Sequence, residues 1–128
     1  AVILSGLSNP EQMEQNLATF QDIKPLNEAE QQAVKDVMAA IHAKPLVPCT
    51  GCRYCMDCPF GVDIPGVFQI YNDYQMFNVF ERSQERYRKL VADGHGVDQC
   101  RNCKACMKHC PQSIEIPTRL AEIHEILK

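Results

Sequence analysis

Eight cysteines fall in two tight runs of this 128-residue chain, Cys49 to Cys58 and Cys100 to Cys110, and no other feature restricts the fold as strongly. The first run reads Cys49-x-x-Cys52-x-x-Cys55-x-x-Cys58-Pro59, and the second Cys100-x-x-Cys103-x-x-Cys106-x-x-x-Cys110-Pro111. A disulfide scaffold would scatter its cysteines along the chain. Cysteines three residues apart are poorly placed to bridge one another but well placed to surround a metal. Eight reduced thiols in turn imply a cytoplasmic setting.

The spacing also discriminates between metals. Structural zinc sites usually divide their four cysteines into two Cys-x-x-Cys pairs separated by a longer segment. A run of three evenly spaced cysteines with a remote fourth suits an iron–sulfur cubane better, and the second run has the bacterial ferredoxin spacing. In that pattern three thiolates wrap one cluster, and the cysteine before proline reaches the other. One 4Fe–4S cluster is therefore expected on Cys49, Cys52, Cys55 and Cys110, the other on Cys100, Cys103, Cys106 and Cys58. Full protein ligation leaves no open iron for substrate, so single-electron transfer is the expected chemistry. A zinc-binding interaction module, and clusters with a structural or redox-sensing role, are the alternatives. Arg53, Arg101, Lys104 and Lys108 lie within the runs. They read first as solvated charge, and alternatively as groups that stabilise anionic clusters and dock a negative partner.

The two runs belong to an internal repeat. Cys58-Pro59-Phe60-Gly61-Val62-Asp63-Ile64-Pro65 aligns without a gap on Cys110-Pro111-Gln112-Ser113-Ile114-Glu115-Ile116-Pro117. Each half is a cysteine loop, a short turn and a proline-launched helix, so a pseudo-two-fold pair is expected, each half completing the other's site. Helical spacing of Phe68, Tyr71, Tyr74, Phe77 or Met76, and Phe80 predicts one long or two short helices over 66–92, with the aromatics in the core. Asp93-Gly94 and Gly96 end this stretch, and a last helix over 118–127 carries Leu120, Ile123, Ile126 and Leu127. The histidines His42, His95, His109 and His124 stand isolated, with a surface position expected for His109.

Upstream of the cysteines, Ala1 to Leu4 is compatible with a strand. Asn9-Pro10 with Gln12, and Asn27 with Glu30, mark two helix starts. The second helix carries Val34, Val37, Met38 and Ile41 on one face, which needs a cover. Lys44-Pro45-Leu46-Val47-Pro48 is an extended link. Formal net charge is −3, which offers no basic surface for nucleic acid, and no stretch is apolar enough to span a membrane. The absence of an initiator Met reads as an excised or processed piece.

Cys-Thr-Gly-Cys-Arg-Tyr-Cys-Met at 49 to 56, Pro-Phe-Gly-Val-Asp-Ile-Pro at 59 to 65, Cys-Pro-Gln-Ser-Ile-Glu-Ile-Pro at 110 to 117, and the segment Leu4 to Asn16 resemble one known group. This is the C-terminal part of aldo/keto reductases that carry a ferredoxin-like dicluster extension. The resemblance implies a mainly α chain: residues 1–44 as the barrel's last piece, a strand remnant and two helices, then 45–128 as an α-helical ferredoxin-like domain with two 4Fe–4S clusters. It also implies that Gly6, Ser8, Gln12, Gln15 and Asn16 contact the adenosine-phosphate end of NAD(P), in the full-length protein only. Gln15 stands where the family usually has Glu, and Lys104 where related loops have Gly, so that loop is expected to be less tight. The implied partners are the missing catalytic barrel, a redox carrier, and a second copy through residues 1–44. The piece alone is expected to be catalytically silent.

Overall fold

A computed structural model describes residues 4–128. It is helical, with no strand among the described residues. The anticipated strand falls mostly on Ala1 to Ile3, outside the described residues, and Leu4 has no regular structure. The chain forms two compact units, divided after Met38. No described helix is long and apolar enough to cross a membrane.

In the first unit, helix α1 spans Pro10–Gln21. Asn9 Oδ1 accepts the Gln12 N–H at 2.9 Å, while Gln12 Oε1 accepts from Ser8 N at 2.7 Å. Helix α2, Glu28–His42, opens on a reciprocal capping box: Asn27 N donates to Glu30 Oε2 at 2.8 Å and Glu30 N to Asn27 Oδ1 at 2.9 Å. Neither helix buries a residue, and Val34, Val37, Met38 and Ile41 remain exposed.

The second unit is built on α3 (Ile64–Phe77), α4 (Phe80–Ala92) and α5 (Ile116–Leu127), each packed against the other two. α3 starts two residues earlier than the spacing predicts because Asp63 Oδ1 accepts the Gly66 N–H at 3.2 Å and Pro65 sits in the first turn. It stops at Asn78, a left-handed residue (φ 55°) whose N–H donates to Tyr74 O, so the stretch is two helices rather than one. α5 likewise starts earlier than predicted, launched by Pro117. Its buried stripe is Ile116, Leu120, Ile123 and Leu127; Ile126 falls off it and is exposed.

The aromatic series divides in the same way. Phe68 and Tyr71 are buried and Tyr74 packs edge-on against Phe80, but Phe77 is 69% exposed at the end of α3. The largest fully buried side chain is instead Tyr87, on the charged α4. Its hydroxyl meets His124 Nδ1 of α5 at 2.5 Å, and burial pushes the phenol up to about 12 despite a backbone hydrogen bond from Val97. Arg86 pairs with Asp73 and so ties α4 to α3.

One turn of α4 away, the Ser83 hydroxyl is wholly buried and has no hydrogen-bond partner among the described residues. These two polar groups should respond oppositely to deletion. Tyr87→Phe is expected to cost about 1–2 kcal/mol, because His124 loses its partner. Ser83→Ala is expected to be neutral or slightly stabilising, since no bond is lost. Thermal unfolding of the two variants checks this, and a larger loss for Ser83→Ala would contradict it.

Candidate metal centres

The two cysteine loops share one backbone plan. Left-handed residues recur at matching places: Gly51 (φ 68°) and Asn102 (φ 53°) before the second cysteine, Arg53 (φ 65°) and Lys104 (φ 61°) after it, Gly61 (φ 76°) and Ser113 (φ 51°) beyond the fourth. Hydrogen bonds repeat with them. Met56 N donates to Arg53 O at 3.0 Å and Met107 N to Lys104 O at 3.2 Å. Gly61 N donates to Cys58 O at 3.0 Å, and Ser113 N to Cys110 O at 3.2 Å. The loop at Lys104 is therefore not looser for want of glycine; the lysine takes the conformation that glycine would, as Arg53 does in the other half.

Four non-glycine residues held left-handed each store on the order of 1 kcal/mol. Loops of this kind gather backbone N–H groups on one side, which suits the negative charge that cysteine thiolates carry. Ser113→Gly is accordingly expected to raise stability by about 0.5–1 kcal/mol, and Gly61→Ala to lower it by about 1–2 kcal/mol. A methyl at Gly61 would meet nothing closer than 3.9 Å, so its cost is conformational. Unfolding midpoints of the two variants should move in opposite directions.

Two cavities lie against these loops. One is lined by Cys49, Cys52, Cys55 and Cys110, with Pro65, Phe68, Ile114 and Ile116 among its apolar walls. The other is lined by Cys100, Cys103, Cys106 and Cys58, with Val62, Ile64, Pro117 and Leu120. Each cavity thus takes three cysteines from one loop and one from the other. Their walls correspond through the repeat: Pro65 with Pro117, Phe68 with Leu120, Ile114 with Val62, Ile116 with Ile64. All eight thiols are free of disulfides.

Electrostatics favours a cationic guest bound by thiolates. Burial pushes the Cys55 thiol up to about 11, with Cys49, Cys106 and Cys110 adding to the rise and a bond to its own backbone opposing it. Cys106 is raised for the same first reason, burial, with Cys103, Cys58 and Cys100 contributing. Four such thiols around an apolar hollow cannot all ionise unless positive charge sits among them. Four cysteine donors to each cavity fit a thiolate-ligated group, as an iron–sulfur cluster is.

Two anchors hold the loops, and neither is visible in the cysteine spacing. Asn72 of α3 clamps the Val47 backbone, accepting from its N–H at 2.9 Å and donating to its carbonyl at 2.8 Å, just ahead of Cys49. His95 braces the turn after Cys58: its Nδ1 meets Gly61 O at 2.8 Å, and its carbonyl accepts from Asp63 N at 3.0 Å. His95 and His124 are therefore not isolated, whereas His109 is exposed at the rim of the first cavity. The apolar walls could have been found from the repeat, whose aliphatic positions are the ones that face inward.

Of the residues with an expected nicotinamide contact, Ser8 and Gln12 bond each other at the start of α1, and Gln15 Nε2 donates to Glu11 at 3.3 Å. Asn16 Nδ2 donates to Ser5 Oγ at 3.0 Å, and Gly6 lies in the exposed segment between. The side chains of Gln12, Gln15 and Asn16 are thus engaged in local bonds along the start of one helix.

No curated protein and no solved structure matches the chain. A family model described as a 4Fe-4S dicluster domain matches residues 48–115. That span exceeds half of the sequence and takes in every cysteine of both cavities, and the chain belongs to the 4Fe-4S dicluster domain family.

Proposed function

We propose that the chain is an electron relay, holding one 4Fe–4S cluster on Cys49, Cys52, Cys55 and Cys110 and a second on Cys100, Cys103, Cys106 and Cys58. The observation that carries this reading is the pair of apolar cavities, each faced by three cysteines of one loop and one of the other. The bound groups supply one-electron chemistry. The residues of the chain would hold them and wall them with aliphatic and aromatic side chains. Every cysteine of the chain lines one cavity or the other.

The wider setting proposed is an NAD(P)-dependent oxidoreductase of aldo/keto reductase type, its catalytic barrel lying outside this sequence. The wording of residues 4–16 and the Ser8–Asn9 start of α1, which suits a phosphate, support it. Anaerobically prepared protein should contain about eight iron and eight sulfide per chain and show a broad visible band that dithionite bleaches. A colourless preparation free of iron but holding stoichiometric zinc would overturn the relay. The wider setting fails separately if the clusters of the barrel-containing protein cannot be reduced through NAD(P)H.

A further inference from the structure

The two loops are alike in backbone and unlike in charge. In the first, Arg53 is offset by Asp57 in sequence and lies 4.0 Å from Asp63. In the second, Arg101, Lys104 and Lys108 occur with no acid between Cys100 and Cys110. All three are exposed, and none makes an ion pair among the described residues. Lys104 is the repeat's counterpart of Arg53, and Glu115 of Asp63, but the equivalent pair is not formed. Arg101 and Lys104 flank Cys103, an exposed cysteine at the second cavity, and both line that cavity.

We propose that this loop, with Arg101 and Lys104 beside Cys103 and Lys108 further along it, docks an acidic electron-carrier protein. The proposal rests on the relay reading and adds to it which end of the relay meets the carrier. The physical reason is one of sign and range. Three cations fall within eight residues of one loop, and the Debye length is about 8 Å at physiological salt, so an approaching anionic surface senses neighbouring charges of the loop jointly. The chain as a whole carries −3, which repels an acidic partner from most directions. Of the two exposed cysteines, Cys103 is the one that stands among uncompensated cations. Such an arrangement fixes orientation and speeds encounter more than it deepens affinity. The first loop offers an exposed cysteine too, Cys52, but its local charge is neutralised.

The test uses the cluster-loaded chain passed over immobilised flavodoxin, an acidic carrier, with the basic carrier cytochrome c as the opposite control. Association with flavodoxin should slow steeply as salt is raised, and cytochrome c should show no such attraction at this loop. Reversing all three cations (Arg101→Glu, Lys104→Glu, Lys108→Glu) should slow association by about tenfold or more at low salt and flatten the salt dependence. Arg53→Glu should change it by less than about twofold. Because Lys104 is left-handed, a second variant, Arg101→Glu with Lys108→Glu, keeps that residue and should show most of the effect. Iron and sulfide content is measured on every variant. Loaded variants that associate at the unaltered rate, or an equal loss from Arg53→Glu, overturn the docking face alone. An unsubstituted chain that takes up no iron or sulfide overturns the relay, and the docking face with it.

Discussion

Replacing Cys110 with alanine should leave the chain with about four iron instead of about eight, and the missing four should come from the site of the first cysteine loop, not the second. The geometry behind this is the crossing of the halves: Cys110 follows the second loop in sequence but faces Cys49, Cys52 and Cys55. Double substitutions make the assignment testable. Cys110→Ala with Cys52→Ala should lose no more iron than either alone, because both disable the same site. Cys110→Ala with Cys103→Ala should lose nearly all of it. Such non-additivity within a site and additivity between sites is the signature of shared ligation. If instead Cys110→Ala and Cys103→Ala behave as one site, each loop keeps its own fourth cysteine and the crossed arrangement is wrong.

Removing the metal altogether should have the larger effect on the fold. The second unit has a core, but many of its members, Val62, Ile64, Ile114 and Ile116 among them, sit at the starts of α3 and α5, where the cysteine loops deliver them. Without a bound group these loops must keep four non-glycine residues left-handed and a set of half-buried and exposed thiols gathered together with nothing to hold them. Binding free energy in sites of this kind is folding free energy. Chelator-stripped protein is therefore expected to lose its sharp thermal transition and much of its helical circular dichroism from 45–128, recovering both when iron and sulfide are restored. A stripped chain that melts as cooperatively, and at the same temperature, as the loaded one would show that the helices alone suffice.

The helical character of the cysteine half is legible in the sequence, for reasons that can be named. Pro65 and Pro117 sit where proline favours a first turn, and Ile116, Leu120 and Ile123 recur at helical spacing. The reciprocal box of Asn27 and Glu30 is equally plain. The joint between α3 and α4 is ambiguous because the aromatic spacing runs past it; only the left-handed Asn78 ends α3. Tyr87 and His124 cannot be paired from sequence, since they lie on separate helices and α4 reads as a charged surface. At the site, the spacing identifies the cysteines as metal donors, but the left-handed Arg53 leaves no trace, because long cationic residues are unremarkable in loops, and Lys104 shows itself only by standing where related loops have Gly. The Asn72 clamp depends on which turn of α3 lies beside Val47, which only packing decides.

The exchange of one cysteine between the halves has a consequence for severed protein. A protease cut at the Asn78–Val79 joint would leave two fragments, each owning three sulfurs of one cavity and a single sulfur of the other. Neither fragment could keep a full set of donors by leaving, so the loaded pieces are expected to stay fastened like a two-part clasp. The stripped pieces keep only the packing of their helices to hold them.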